Sequence, residues 1–200
     1  MNISCLCLLE KNYGIEYVFV PAFIQQLGIF SNLSINQKII KTFIQAIPKK
    51  IKYCDIILNS GNKFTEDHSI QRKNYLLRLS YSYESLQKQY SRMANRNIKT
   101  AIAEGIFCEK VSSPSTTLLL HRKRFNDSIG PSDEDYKKLE QLLLYATKTN
   151  HAVSVVAKRG QDVIASSTYL LFGNRIIFYL MEIPPPVLML VQHICLKILC

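Results

Sequence analysis

The stretch that most restricts the fold is "HAVSVVAKRGQDVIASSTYLLFGNRIIFYL", residues 151–180. β-Branched and aromatic residues fill three runs, 151–158, 162–172 and 175–180, parted only by "RGQ" and "GN". Strands joined by so few residues can only return antiparallel beside one another. Gly173-Asn174 supplies the left-handed backbone that a two-residue hairpin needs. An antiparallel meander is therefore required. Just before it, "PSDEDYKKLEQLLLYATKTN" (131–150) has apolar residues at helical spacing. Ser132 is placed to cap this helix and Asp135 to complete a capping box, with Asp133 and Glu134 against its positive end. The three acids thus read as helix-terminus chemistry rather than as an acid–base or metal cluster.

Upstream, the pattern alternates. "IEYVFV" (15–20) and "IKYCDIIL" (51–58) read as strands around a helix at 35–48. In that helix Ile39, Ile40, Phe43, Ile44 and Ile47 share a face, Ser34 is the expected N-cap and Pro48 the stop. A polar loop at 59–69 follows, then a strand at 74–80. A long helix is predicted over 82–105, with Ser82 as cap, Glu84 in the first turn and Gly105 at the C-terminal cap. Its apolar face is Leu86, Tyr90, Met93, Ala94, Ile98 and Ala101. A strand at 106–111 and a short helix within 113–127 complete the order. Such alternation predicts an α/β (α+β) layer fold.

The chain has 200 residues, enough for a real core. Its net charge of +10 suits anionic partners: nucleic acid, anionic lipid or phosphate-bearing substrates. Of six cysteines, four lie near the ends. Cys54 and Cys108 sit in apolar, strand-like stretches and read as buried, reduced thiols. No C-x-x-C occurs and His68, His121, His151 and His193 are scattered, so no metal site is predicted. No run reaches the about 18 apolar residues of a spanning helix; Gln192, His193 and Lys197 interrupt the closest. The N-terminus lacks the basic region of a signal peptide. A cytoplasmic protein without a transmembrane segment is expected.

One chemical feature stands out. Lys88, Arg92, Arg96 and Lys99 recur at spacings of four, four and three, opposite the apolar face of their helix. Such a stripe can grip phosphates, and arginine does so with two parallel hydrogen bonds; it equally describes a solvated helix face. No two glycines come within three residues of each other, which excludes a P-loop, a dinucleotide-binding G-x-G-x-x-G and the pyrophosphate turn of ordinary GNAT acetyltransferases. There is no G-x-S-x-G, and Ser112, Ser113 and Ser115 have no identifiable base.

Three stretches together carry a resemblance: "YGIEYVFVPAFIQQLGIFS" (13–31), "RKNYLLRLSYSYESLQKQYSRMANRNIKTAIAEG" (72–105) and "GQDVIASSTYLLFGNRIIFYL" (160–180). In this order they resemble GNAT-like proteins of a Bacteroidetes-type branch, related to the Fem-type peptidoglycan-bridge aminoacyltransferases. The resemblance implies a GNAT-like fold, a mixed sheet flanked by helices and incomplete at both ends, and transfer of an acyl or aminoacyl group to an amine, in cell-wall peptide metabolism. The donor would be acyl-CoA or aminoacyl-tRNA, an anionic substrate like the peptidoglycan precursor that accepts. No tightly bound cofactor is implied. The R-N-I-K-x-A core carries Arg96, Asn97 and Lys99, which with Arg92 are the expected substrate-binding residues; no catalytic base is assigned. The family's D-F-E-G-S motif and F-Y-x-x-F-G-A-like segment, expected beyond Leu180, are missing.

Reading the codons one base earlier offers an explanation. Residues 181–200 then permit N-G-N-S-x-x-G-x-x-A-S-x-T-Y-L-x-K-N, and residues 1–8 permit E-Y-x-M-P-L-P; both suit the family. The expected organisation is an out-of-frame or atypical N-terminus (1–12), a partial first α/β subdomain (13–66), a GNAT-like subdomain (67–180) and an out-of-frame tail (181–200). On this reading the truncated form is inactive. The alternative is a non-enzymatic basic protein that binds nucleic acid or another polyanion through the Lys88/Arg92/Arg96/Lys99 stripe. A V-shaped splay between adjacent parallel strands would favour the enzyme.

Overall fold

The computed structural model describes residues 3–6, 8–12, 14–73, 82–125, 130–173 and 175–182. The strand expected at 74–80 and the tail from 183 lie outside them. The fold mixes helix and strand, as the periodicities require, in two compact units, Met1–Leu76 and Leu77–Cys200.

In the first unit, β1 (Ile3–Leu6) pairs antiparallel with β4 (Gly28–Ser31), and β2 (Leu8–Asn12) pairs antiparallel with β3 (Ile15–Phe19). The backbone of 3–6 and of 8–12, within the segment read from sequence as out-of-frame or atypical, is strand. Helix α1 (Gln37–Gln45) is capped by Asn36, whose Oδ1 accepts from the Ile39 amide at 3.0 Å. Asn36, not Ser34, directly precedes the first helical residue, so its side chain is the one within reach. Ile40 is buried, and Phe43 and Ile47 join Ile29 and Leu58 around a small apolar void of about 40 Å³.

The expected strand at 51–58 is only two residues long, β5 (Tyr53–Cys54), parallel to β3. After Asp55, whose amide bonds the Val18 carbonyl, the chain changes partner. The Ile57 carbonyl accepts from Leu27, and Leu58 bridges Leu27 in parallel. At the edge of its sheet, β5 leaves Cys54 exposed, contrary to the expected burial; Cys108 is half-buried.

The second unit opens with α2 (Tyr83–Lys88) and α3 (Arg92–Ala103), where one helix was expected. Ser82 caps the first as predicted. Ser91 interrupts: its backbone is extended (ψ 156°) and its hydroxyl accepts from the Ala94 amide at 3.1 Å, a second N-cap. Gly105 follows α3 at φ +71°, the left-handed conformation expected of a helix-ending glycine. Next come β6 (Ile106–Val111), α4 (Ser115–Phe125), α5 (Asp133–Lys148), β7 (Ala152–Arg159), β8 (Asp162–Phe172) and β9 (Arg175–Glu182). The four strands form one sheet in the order β6-β7-β8-β9, every pairing antiparallel. The predicted meander is there, with Phe172 opposite Arg175 across the two-residue turn.

The sheet's two faces are filled differently. Val155, Ala157, Ala165 and Tyr169 alternate onto one face and pack with Ala101 of α3 and Ile106. The other face meets α4 through hydroxyls, all fully buried: Thr117 with Ser154, Ser166 and Thr168. Ser154 pairs with Thr168 at 2.8 Å, Thr168 donates to Thr117 at 3.1 Å, Thr117 pairs with Ser166 at 2.6 Å, and Ser166 donates to the Val155 carbonyl at 3.3 Å. Each hydroxyl has one proton to give. The order of donation must then run Ser154, Thr168, Thr117, Ser166 and finally the carbonyl. The polar groups buried under α4 are thereby satisfied.

Candidate functional site

Helix α3 positions the expected anion-binding residues. It buries Ala94, Ile98 and Ala101 and turns Arg92, Arg96 and Lys99 outward, all three exposed. At about 100° per residue these three fall within one narrow arc opposite the buried face. None makes an ion pair or a side-chain hydrogen bond among the described residues. Lys88 is exposed too, but it ends α2, so the break at Ser91 parts it from the helical stripe. Asn97 is half-buried and a hundred-degree step away from Arg96. The structure therefore gathers Arg92, Arg96 and Lys99 and sets Asn97 on the helix flank.

The start of α3 adds to this charge. Arg92 is its first residue and no acid lies in its first turn. A helix N-terminus carries partial positive charge from its unpaired amides, so a cation there is unfavourable by some tenths of a kcal/mol. Helix α5 shows the ordinary solution, with Asp133, Glu134 and Asp135 in its first turn and the complete Ser132–Asp135 capping box. Hydrogen bonds from Ser132 hold the Asp135 carboxyl below its usual range. Positive potential is thus left uncompensated at α3 and neutralised at α5. Met93, expected on the apolar face, is 62% exposed, because it stands about 100° round α3 from Ala94, outside the face that Ala94, Ile98 and Ala101 bury.

A second constellation lies between α4 and α5. An open groove of about 450 Å³ has Leu118, Leu119 and Tyr136 in its wall, with Ser115, Arg122, Asp133, Lys137 and Glu140 around it. Arg122 pairs with Asp133, and the Ser115 hydroxyl donates to Glu140 Oε1 at 3.1 Å. Tyr136 is buried, its hydroxyl 2.8 Å from His121 Nδ1. Burial, with Arg124 nearby, lowers the pKa of His121, favouring the neutral ring. No sequence pattern marks this groove. Its residues come from two helices, and each holds an ordinary core, capping or surface place within its own helix.

Among the described residues no group of His, Cys, Asp and Glu could hold a metal ion, and no helix is long and apolar enough to cross a membrane. Strands β6 to β9 pair only antiparallel; among the described residues the parallel contacts, β3 with β5 and Leu27 with Leu58, are in the first unit. Compared with protein-family models, with curated proteins and with solved structures, the chain finds no match.

Proposed function

We propose that this chain is a cytoplasmic polyanion-binding protein that grips the phosphates of nucleic acid through the exposed face of α3. The observation that carries the proposal is the gathering of Arg92, Arg96 and Lys99, without ion-pair partners among the described residues, on a helix whose first turn lacks an acid. Each cation can neutralise a phosphate and release condensed counterions, and the net charge of +10 adds long-range attraction. Binding should weaken steeply with salt. The experiment is titration of tRNA and of duplex DNA at rising salt, for the chain and for its Arg92→Ala plus Arg96→Ala variant. A salt-sensitive affinity that the double substitution abolishes supports the proposal. An affinity that ignores salt, or survives the double substitution, overturns it.

Acyl or aminoacyl transfer to an amine is the second reading. What favours it is the sheet with α3 on one face and α4 on the other, in the element order that the GNAT and Fem resemblance implies. The same cations would then hold the anionic donor, acyl-CoA or aminoacyl-tRNA. Amine-dependent loss of the acyl group from either donor tests this reading, independently of nucleic-acid affinity.

A further inference from the structure

The charges around the α4–α5 groove do not all cancel internally. Arg122 is matched by Asp133, and Lys138 by Glu134 at 3.8 Å. Lys137 has no ion-pair or side-chain hydrogen-bond partner among the described residues, and the recorded contact of Glu140 is the Ser115 hydroxyl. These two residues, three apart on α5, are neighbours on its surface. Yet Glu140 is drawn toward α4 by Ser115, and the two do not close on each other. One cation and one anion are left beside the apolar wall of Leu118 and Leu119, the latter 55% exposed.

We propose that this groove binds a small zwitterion with an apolar body, of the class of a free apolar α-amino acid. Its carboxylate meets Lys137, its ammonium meets Glu140, and its hydrocarbon covers Leu118 and Leu119. The two charges of such a ligand are joined through a single carbon, which suits protein charges one helical turn apart. Charge complementarity separates this ligand from the polyanion of α3. Asp133 and Glu140 balance Arg122 and Lys137, so a multiply charged anion finds no net attraction here. An aminoacyl ester is disfavoured as well, because it lacks the free carboxylate for Lys137.

The test is an amide-detected NMR titration of the full chain with three probes: L-leucine, N-acetyl-L-leucine (no ammonium) and L-leucinamide (no carboxylate). L-Leucine should give saturable shifts confined to α4 and α5, with both other probes at least tenfold weaker. Lys137→Gln should bring L-leucine down to the leucinamide level without changing leucinamide. Glu140→Gln should bring it down to the N-acetyl-leucine level without changing that probe. Absence of saturable L-leucine binding, or either single-charge probe binding as tightly as L-leucine, overturns the proposal. This probe comparison needs only the unaltered chain and does not depend on any variant folding. A Lys137→Gln chain that keeps its spectrum and full L-leucine affinity overturns the proposal equally.

Discussion

The side-chain amide of Asn62 pairs with both backbone groups of Ile29. Its Oδ1 accepts from the Ile29 amide at 2.7 Å and its Nδ2 donates to the Ile29 carbonyl at 2.9 Å. Asn62 therefore stands in for a neighbouring strand on β4, and at 8% exposure it does so away from water. Gly28 makes room for it: at φ +95°, a Cβ there would lie 2.5 Å from Asn62 Oδ1 and 2.8 Å from Leu58 Cδ2.

Substituting Asn62 by Ala leaves the buried Ile29 amide without its acceptor, at about 1–3 kcal/mol, while the Ile29 carbonyl keeps Asn59 Nδ2 at 3.0 Å. Asn62→Asp keeps the acceptor but loses the donor and places a carboxylate against a carbonyl, so it should cost at least as much at neutral pH. Urea unfolding of the two variants checks both. Gly28→Ala, forced into strained backbone and into Asn62 together, should also destabilise.

Beneath α4, the hydroxyl relay and Ser167 make opposite predictions. Thr117→Val keeps shape and removes one hydroxyl. Ser166 still reaches the Val155 carbonyl and Thr168 still has Ser154, so the loss should be about 1 kcal/mol, the low end for a buried hydrogen bond. Ser167, 1% exposed on the other face, has a hydroxyl without a hydrogen-bond partner among the described residues. Ser167→Ala relieves that desolvation and should leave stability unchanged or raise it. The melting temperature should fall for Thr117→Val and hold or rise for Ser167→Ala.

Removing the α5 cap should cost about 1 kcal/mol, because Ser132→Ala leaves the Asp135 amide without its acceptor. The same change should alter acid unfolding. The carboxyl of Asp135 is held below 3.8 by Ser132, so its stabilisation is complete above that value and is lost as pH falls through the lower folded value. The Ser132→Ala chain should lack this component in unfolding followed from pH 5 downward.

His121 acts in a separate window. Its folded pKa lies below 6.5, so the unfolded chain takes up the proton more readily. Stability should be full above 6.5 and should fall as pH drops from there through the folded value. His121→Gln, which can still bond to Tyr136 but does not titrate, should flatten that part of a melting-temperature profile.

On α3, charge and geometry can be told apart. Arg96→Ala should reduce the salt slope of DNA binding by about one, the loss of one phosphate contact. Arg96→Lys should keep the slope while weakening affinity modestly, since the ammonium cannot give two parallel bonds. Equal slopes for the two variants would remove Arg96 from the interface.

Local pattern was enough for the meander of β7, β8 and β9, the α5 helix with its Ser132–Asp135 box, the Ser82 cap and the arc of Arg92, Arg96 and Lys99 opposite the apolar face. These depend on period, cap and turn chemistry, which act over a few residues and are written in neighbouring positions. It did not disclose the break at Ser91. A capping serine inside a continuing apolar pattern competes with the helix, and which wins depends on how Leu86 and Ala94 are buried. Nor did it show that 51–58 changes partner after Asp55, because an apolar run does not name the strand it will meet. The α4–α5 groove, the hydroxyl relay and the Asn62–Ile29 clamp join residues 11 to 51 positions apart. Only the tertiary fold could bring those together, because the charges, hydroxyls and amides that define them have no local signature until packing removes water from around them.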